Sequence, residues 1–314
     1  MPRTAMVVVM VLVIAGLAIL AYLELTGRLQ LRTGDPDGTT PPPNDVVFVG
    51  AGDIAECPTE GDEATAAVLD AVVAEHPDAV VFTTGDNAYQ DGSYQEFLDC
   101  YDPSWGRHKE RTRPAVGNHE FKQTKAEGYH RYWGERGGPF DLYYYSYDVG
   151  SWHIVVLNSE CHRVGCTFDS DDGEQVEWLV GDLEASEADC TIAIWHHPRW
   201  SSGRYGNDPD TATLWEVLYD HDAEIVLNGH EHLYERFEPM AADGTLDPGR
   251  GIRQFTVGTG GGNLRGFEDI AQNSAARGSE HGVLKLTLGE GSYEWEFLGV
   301  EGATLSDAGS GTCH

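Results

Sequence analysis

Basic residues are scarce in this chain. Its 314 residues hold 20 Lys and Arg against 52 Asp and Glu, a net charge of −32, and only Lys109, Lys122, Lys125 and Lys285 are lysines. A surface this acidic repels phosphate backbones and has no spare cations to displace counterions, which excludes nucleic-acid binding as the main activity. The acidity fits a strongly hydrated surface or a field that concentrates metal cations, and composition does not separate the two. No fixed-period repeat is present, which excludes a solenoid. No C-x-x-C pair occurs among the six cysteines, Cys57, Cys100, Cys161, Cys166, Cys190 and Cys313, so thiolate metal binding lacks its usual spacing.

Charge is also missing from residues 5–23, AMVVVMVLVIAGLAILAYL. At about 1.5 Å per residue this stretch nearly crosses a hydrocarbon core about 30 Å thick. Neither a small-x-small cleavage site nor a lipobox cysteine follows it, so a retained transmembrane anchor over residues 1–27 is expected in preference to a cleaved signal. Arg3 and the amino terminus compete with Arg28 and Arg32, and charge marks the orientation weakly. The cysteines decide it. All lie beyond the apolar stretch, and an even number there reads as disulfides in an oxidising compartment outside the cytoplasm. Cys161 and Cys166 are close enough to close a short loop, and the other pairings stay open. Residues 28–44 include GDPDGTTPPPN, an extended linker of polyproline II character, which leaves residues 45–314 as the globular part.

That part is rich enough in apolar residues for a large core. Short apolar runs recur and end in a polar residue: VVFVGAGD at Asp53, AVVFTTGD at Asp86, RPAVGNHE at Asn118 and His119, TIAIWHH at His196 and His197, EIVLNGHEH at His230 and His232. Runs of this kind, bounded by Gly and Pro, read as buried strands. Residues 59–75, 173–188 and 211–219 have apolar spacing near the helical period. The alternation predicts one mixed α/β domain. GIRQFTVGTGG, GVLKLTLGEG and YEWEFLGV, joined by glycine turns, predict an antiparallel end to the chain.

In α/β sheets ligands gather beyond the carboxyl ends of strands. Five runs here end in Asp, Asp, Asn-His, His-His and His-x-His. Converged, they supply carboxylates, an amide oxygen and imidazoles, a donor set for first-row metals and more donors than one four-coordinate ion needs. Two metals are expected. Each ending alone is an ordinary turn residue. His230 and His232 are the stronger pair, because i and i+2 side chains on extended chain point the same way.

The ordered motifs GDI, GDNAY, GNHE, HHP and GHEHLYER, from about residue 46 to 237, resemble those of the calcineurin-like metallophosphoesterases, and within them the purple acid phosphatase branch. The resemblance implies a four-layer α/β/β/α sandwich with a binuclear metal site at the strand ends. It implies Asp53, Tyr89 and His232 on a first metal, iron(III), and Asn118, His196 and His230 on a second, iron, zinc or manganese, with Asp86 bridging. His197 becomes an extra, supporting imidazole. His119 would protonate the leaving oxygen while a hydroxide on the metals attacks phosphorus, and the substrate would be a small phosphate monoester. A phosphodiesterase or nucleotide hydrolase on the same metals is the alternative within enzymes. A non-catalytic surface domain would show a lost ligand, and none is missing. Family members carry a further histidine nine residues past His196, where this chain has Tyr205. Arg204 beside it could pair with a phosphate oxygen.

Overall fold

The computed structural model describes residues 45–168, 170 and 173–314; the expected anchor and linker, residues 1–44, lie outside them. Among the described residues no helix is long and apolar enough to cross a membrane.

The strands Val46–Ala51, Val80–Thr83 and Thr112–Pro114 pair in parallel, so their carboxyl ends open on one side. They are short and almost wholly buried, as strands covered on both faces must be. The helix Gly61–Glu75 returns the chain between the first two and buries Ala66, Leu69 and Val72 in the same core. On the other flank Gly282–Gly289, Ser292–Gly299 and Ala308–Thr312 add three antiparallel strands, completing a six-stranded mixed sheet. The turn between the first two closes at Gly291, whose φ of 70° lies in the left-handed region open to glycine.

The second sheet has seven strands, in the spatial order Tyr145–Val149, Trp152–Val156, Cys190–Ile194, Ile225–Asn228, Arg253–Val257, Tyr234–Phe237 and Ser274–Gly278. Its central pairs from Trp152–Val156 to Arg253–Val257 are parallel. Alternation along these strands builds two cores. Ile154, Ile192, Ile194, Ile225 and Leu227 join the core that includes the first sheet. Val155, Ala193, Trp195 and Val226 pack instead with Leu179, Leu214 and Trp215 of the helices Glu174–Ala185 and Ala212–Asp220.

The three expected helices form within a few residues of their anticipated bounds, and the C-terminal hairpin is antiparallel as expected. GIRQFTVGTGG is the exception. Arg253–Val257 runs parallel to Ile225–Asn228 inside the second sheet. All five of its residues, Arg253, Gln254 and Thr256 included, are buried, and burial on both faces goes with a central position. Disulfides join Cys161 to Cys166, as the short loop implied, and also Cys57 to Cys100 and Cys190 to Cys313.

Candidate metal centre

Both sheets deliver residues to one place. Asp53, Asp86 and Asn118 follow strands of the first sheet; His196, His230 and His232 follow strands of the second. Asp53, Asp86 and His196 each bring a donor atom within 4.8 Å of the others, and so do His196, His197 and His230. Asp53, Asp86 and His230 hold positive φ of 57°, 49° and 67°, a backbone region that costs non-glycine residues energy and that clusters at functional sites. Close approach of the chain is built in. A Cβ on Gly117 would lie 2.3 Å from the Asp86 carboxylate, and one on Gly258 would lie 2.8 Å from that of Asp53.

Asp86 sits at the middle. Its Oδ1 accepts the His119 backbone N–H at 2.7 Å, while Oδ2 is 3.0 Å from Tyr89 Oη and 3.4 Å from His196 Nε2. Asp53 Oδ1 is 2.8 Å from Tyr89 Oη and 3.2 Å from His232 Nε2, and its Oδ2 accepts the His230 N–H at 2.8 Å. Asn118 Oδ1 lies 3.1 Å from His196 Nε2 and 3.0 Å from His230 Nδ1. The seven residues named from the motifs therefore converge, Tyr89 included.

The tautomers make this donor set fit a cation. His196 Nδ1 is 2.9 Å from the Thr84 carbonyl and His232 Nδ1 is 2.8 Å from that of Asn263. A carbonyl accepts only, so both Nδ1 atoms carry hydrogen. In the neutral rings each Nε2 then aims a lone pair at oxygen: His196 at Asn118 and Asp86, His232 at Asp53 and Tyr89. Lone pairs facing one another in a buried space are resolved by a proton or a metal ion. Without a metal, burial lowers the pKa of His196 but the Asp86 charge prevails and carries it up to about 10. At His232 burial is likewise outweighed, by Asp53, and the pKa rises. Burial, then the neighbouring imidazoles, drives His230 the other way. Burial, with the Asp53 and Asp86 charges, pushes the Tyr89 phenol well above its usual value.

His119 stands at the rim. Its Nδ1 lies 2.7 Å from the Gln90 carbonyl and 2.9 Å from Lys122 Nζ, which also donates to that carbonyl, and its Nε2 is 3.8 Å from Asp86 Oδ2. His197 adjoins His230, their ring centres 4.3 Å apart, with its Nδ1 2.8 Å from Ser159 Oγ, and burial followed by His196 brings its pKa down to about 3. Tyr205 stacks on His230 with ring centres 4.6 Å apart. The lone histidines lie elsewhere, His108 on Asp70 and His153 between Asp148 and Asp182.

Two glutamates escaped sequence reasoning. Glu120, wholly buried, accepts the N–H groups of Asn87 at 2.6 Å, Gly117 at 2.8 Å and Asp86 at 3.1 Å, tying the GDN turn to the GNH turn. Glu231, between the two histidines, points the opposite way and accepts from the Tyr205 and Arg204 N–H groups at 2.6 and 3.1 Å. Their signal was present in GNHE and GHEH, but a carboxylate that clamps backbone looks in sequence like one that binds metal.

The family model for calcineurin-like phosphoesterases matches residues 46–234. Purple acid phosphatase 15 of Arabidopsis thaliana is 31% identical over 185 residues, 52% of this chain and 33% of that protein. Purple acid phosphatase 22 of the same plant is 29% identical over 85% of this chain and 64% of its own length. The chain thus spans between a third and just under two thirds of these curated relatives. Among solved structures, a purple acid phosphatase from yellow lupin (Lupinus luteus) seeds superposes with a TM-score of 0.71 at 16% identity, over 85% of this chain and 54% of that one.

Proposed function

The chain belongs to the calcineurin-like phosphoesterase family, and from that membership we propose that it is an exported, membrane-anchored phosphatase hydrolysing phosphate monoesters with two metal ions. Asp53, Tyr89 and His232 would hold one ion and Asn118, His196 and His230 the other, with Asp86 shared between them. The observation that carries this reading is the pair of buried imidazoles whose carbonyl-fixed tautomers aim Nε2 lone pairs at oxygen. When bound, the two ions supply positive charge to the phosphate oxygens and acidify water for in-line attack.

The chain's residues do the rest. Asp86 lies between the two donor groups, and its Oδ2 faces both, 3.0 Å from Tyr89 Oη and 3.4 Å from His196 Nε2. His119, anchored through Nδ1, turns Nε2 toward the site and can hand a proton to the departing oxygen. His119→Ala should therefore keep both metals and slow esters of poor leaving groups by roughly 10²–10⁴-fold while sparing activated aryl esters. Equal slowing of both ester classes would remove it from proton transfer.

Tyr89 favours iron(III) at the first position, with iron, zinc or manganese at the second. A phenol held between two carboxylates keeps its proton against all but a strong Lewis acid. Tyr89→Phe should abolish visible absorption of the iron-loaded protein; an unchanged spectrum would take the phenol off the metal. Export is supported by the three disulfides and anchoring by the apolar stretch 5–23. The overall test sets an aryl phosphate monoester against the matching diester on metal-loaded protein. Monoester preference is expected, diester preference would make the protein a phosphodiesterase, and cleavage of neither would leave a binding domain.

A further inference from the structure

Arginines in this chain are mostly spoken for. Arg107 pairs with Glu63 and Asp70, Arg163 with Glu160, Arg236 with Asp307 and Arg250 with Asp222. With 52 carboxylates in the sequence, an acidic partner is easy to find. Arg265 has none: its guanidinium makes no hydrogen bond or ion pair with the described residues, and its Nη1 is buried without an acceptor. A buried guanidinium N–H with nothing to donate to costs free energy, and on this half-buried side chain the missing acceptor can come from solvent or with a ligand.

Its position says which acceptor. The Arg265 backbone N–H donates to the His232 carbonyl at 2.9 Å, and its own carbonyl accepts from Ser279 Oγ at 2.6 Å. Two residues earlier, Asn263 takes the His232 Nδ1 proton. The segment is thus wrapped around one proposed metal ligand. The Arg265 guanidinium lies 5.2 Å from the centre of the Tyr205 ring, which in turn stacks on His230, another proposed ligand. Glu231, the buried carboxylate between those histidines, accepts the Arg204 and Tyr205 backbone N–H groups and feels the Arg265 charge without a hydrogen bond to it. Arg204, the cation that sequence singled out beside Tyr205, is exposed, with its guanidinium 5.9 Å from the same ring.

We propose that Arg265 is a substrate-binding residue of this centre, whose planar fork takes oxygens of the substrate's phosphate group from the side of His230 and His232, with Tyr205 as the aromatic surface that orients it. The proposal rests on the phosphoesterase reading above and extends it. A phosphate monoester presents three terminal oxygens; a pair of metals need not engage all of them, and a bidentate guanidinium matches the remainder in both charge and geometry. Because an arginine stays charged at every physiological pH, this contact does not switch off as pH rises.

The test uses the full metal-loaded chain and inorganic phosphate as probe, comparing the unaltered protein with Arg265→Met, Arg265→Lys and Tyr205→Ala. The Arg265 side chain makes no internal hydrogen bond, so Arg265→Met removes only its charge and its place over the Tyr205 ring. It is expected to raise the inhibition constant for phosphate and the KM for an aryl monoester together, roughly ten- to hundredfold, the range of a lost charge-assisted pair. Metal content and Tm should not change. Arg265→Lys should recover part of the loss through charge alone, and Tyr205→Ala should weaken phosphate binding less than Arg265→Met. Unaltered phosphate affinity in Arg265→Met and Arg265→Lys would overturn the role of Arg265 while leaving the phosphoesterase intact. If the unaltered protein neither bound phosphate nor cleaved the monoester, the phosphoesterase reading would fall and this inference with it.

Discussion

Asp86→Asn is expected to lower metal content and phosphate-ester hydrolysis together, by more than the roughly 100-fold that loss of a ligand-orienting residue reaches. The carboxylate has no slack. One oxygen accepts the His119 N–H and the other faces Tyr89 and His196. Whichever way an amide turns, an NH₂ group replaces one of those oxygens. Turned toward His119 it sets donor against donor, and turned the other way it presents hydrogens where both proposed metals need a shared anion. Elemental analysis of purified protein, read beside the hydrolysis rate, checks the result. Full activity with a normal metal load would remove Asp86 from the bridge.

The second large effect concerns stability. Removing the Cys190–Cys313 disulfide by a double serine substitution should cost roughly 4–5 kcal/mol, the chain-entropy value for a loop of about a hundred residues. The two cysteines are 123 residues apart. Cys190 opens a central strand of the second sheet, and Cys313 follows Ala308–Thr312, an edge strand of the first whose residues are largely exposed. Apolar burial therefore holds that edge weakly, and the covalent tie carries much of the attachment, helped by Glu224, whose Oε2 accepts the Thr191 N–H at 2.6 Å and whose Oε1 accepts the His314 N–H at 3.4 Å. Urea titration should show a lower midpoint. An unchanged midpoint would mean that the edge strand docks without the tie.

Much of the site was legible because its residues occupy the ends of parallel strands, where sequence proximity to an apolar run translates directly into position. Asp53, Asp86, Asn118, His196, His230 and His232 could each be placed by that rule, and Tyr89 by the motif around it. The helices were legible from their period. What stayed hidden depends on contacts between distant segments. The run at Arg253–Val257 has the apolar content of a strand, but nothing local distinguishes a central parallel position from an antiparallel edge; the burial of both faces decides it. Glu120 and Glu231 resemble ligands by neighbourhood and turn out to clamp backbone, which depends on distant segments, Asn87 for one and Arg204 and Tyr205 for the other, being folded against them. Arg265 carries no motif at all. Its significance arises from the absence of a partner, which only the folded arrangement reveals.

The division of donors between the sheets gives the centre a mechanical meaning. Three proposed ligands hang from one sheet and three from the other, so any ion held among them rivets the two layers at their open edge. An ion at a hundred times its dissociation constant contributes about 2.7 kcal/mol to the folded state. Here that contribution acts on one seam. Asp53, Asp86 and His230, whose backbone lies at positive φ, sit on that seam. Metal affinity and the stability of that seam are thus linked: a substitution deep in either sheet that shifts its layer is expected to show as weaker metal retention, far from any proposed ligand.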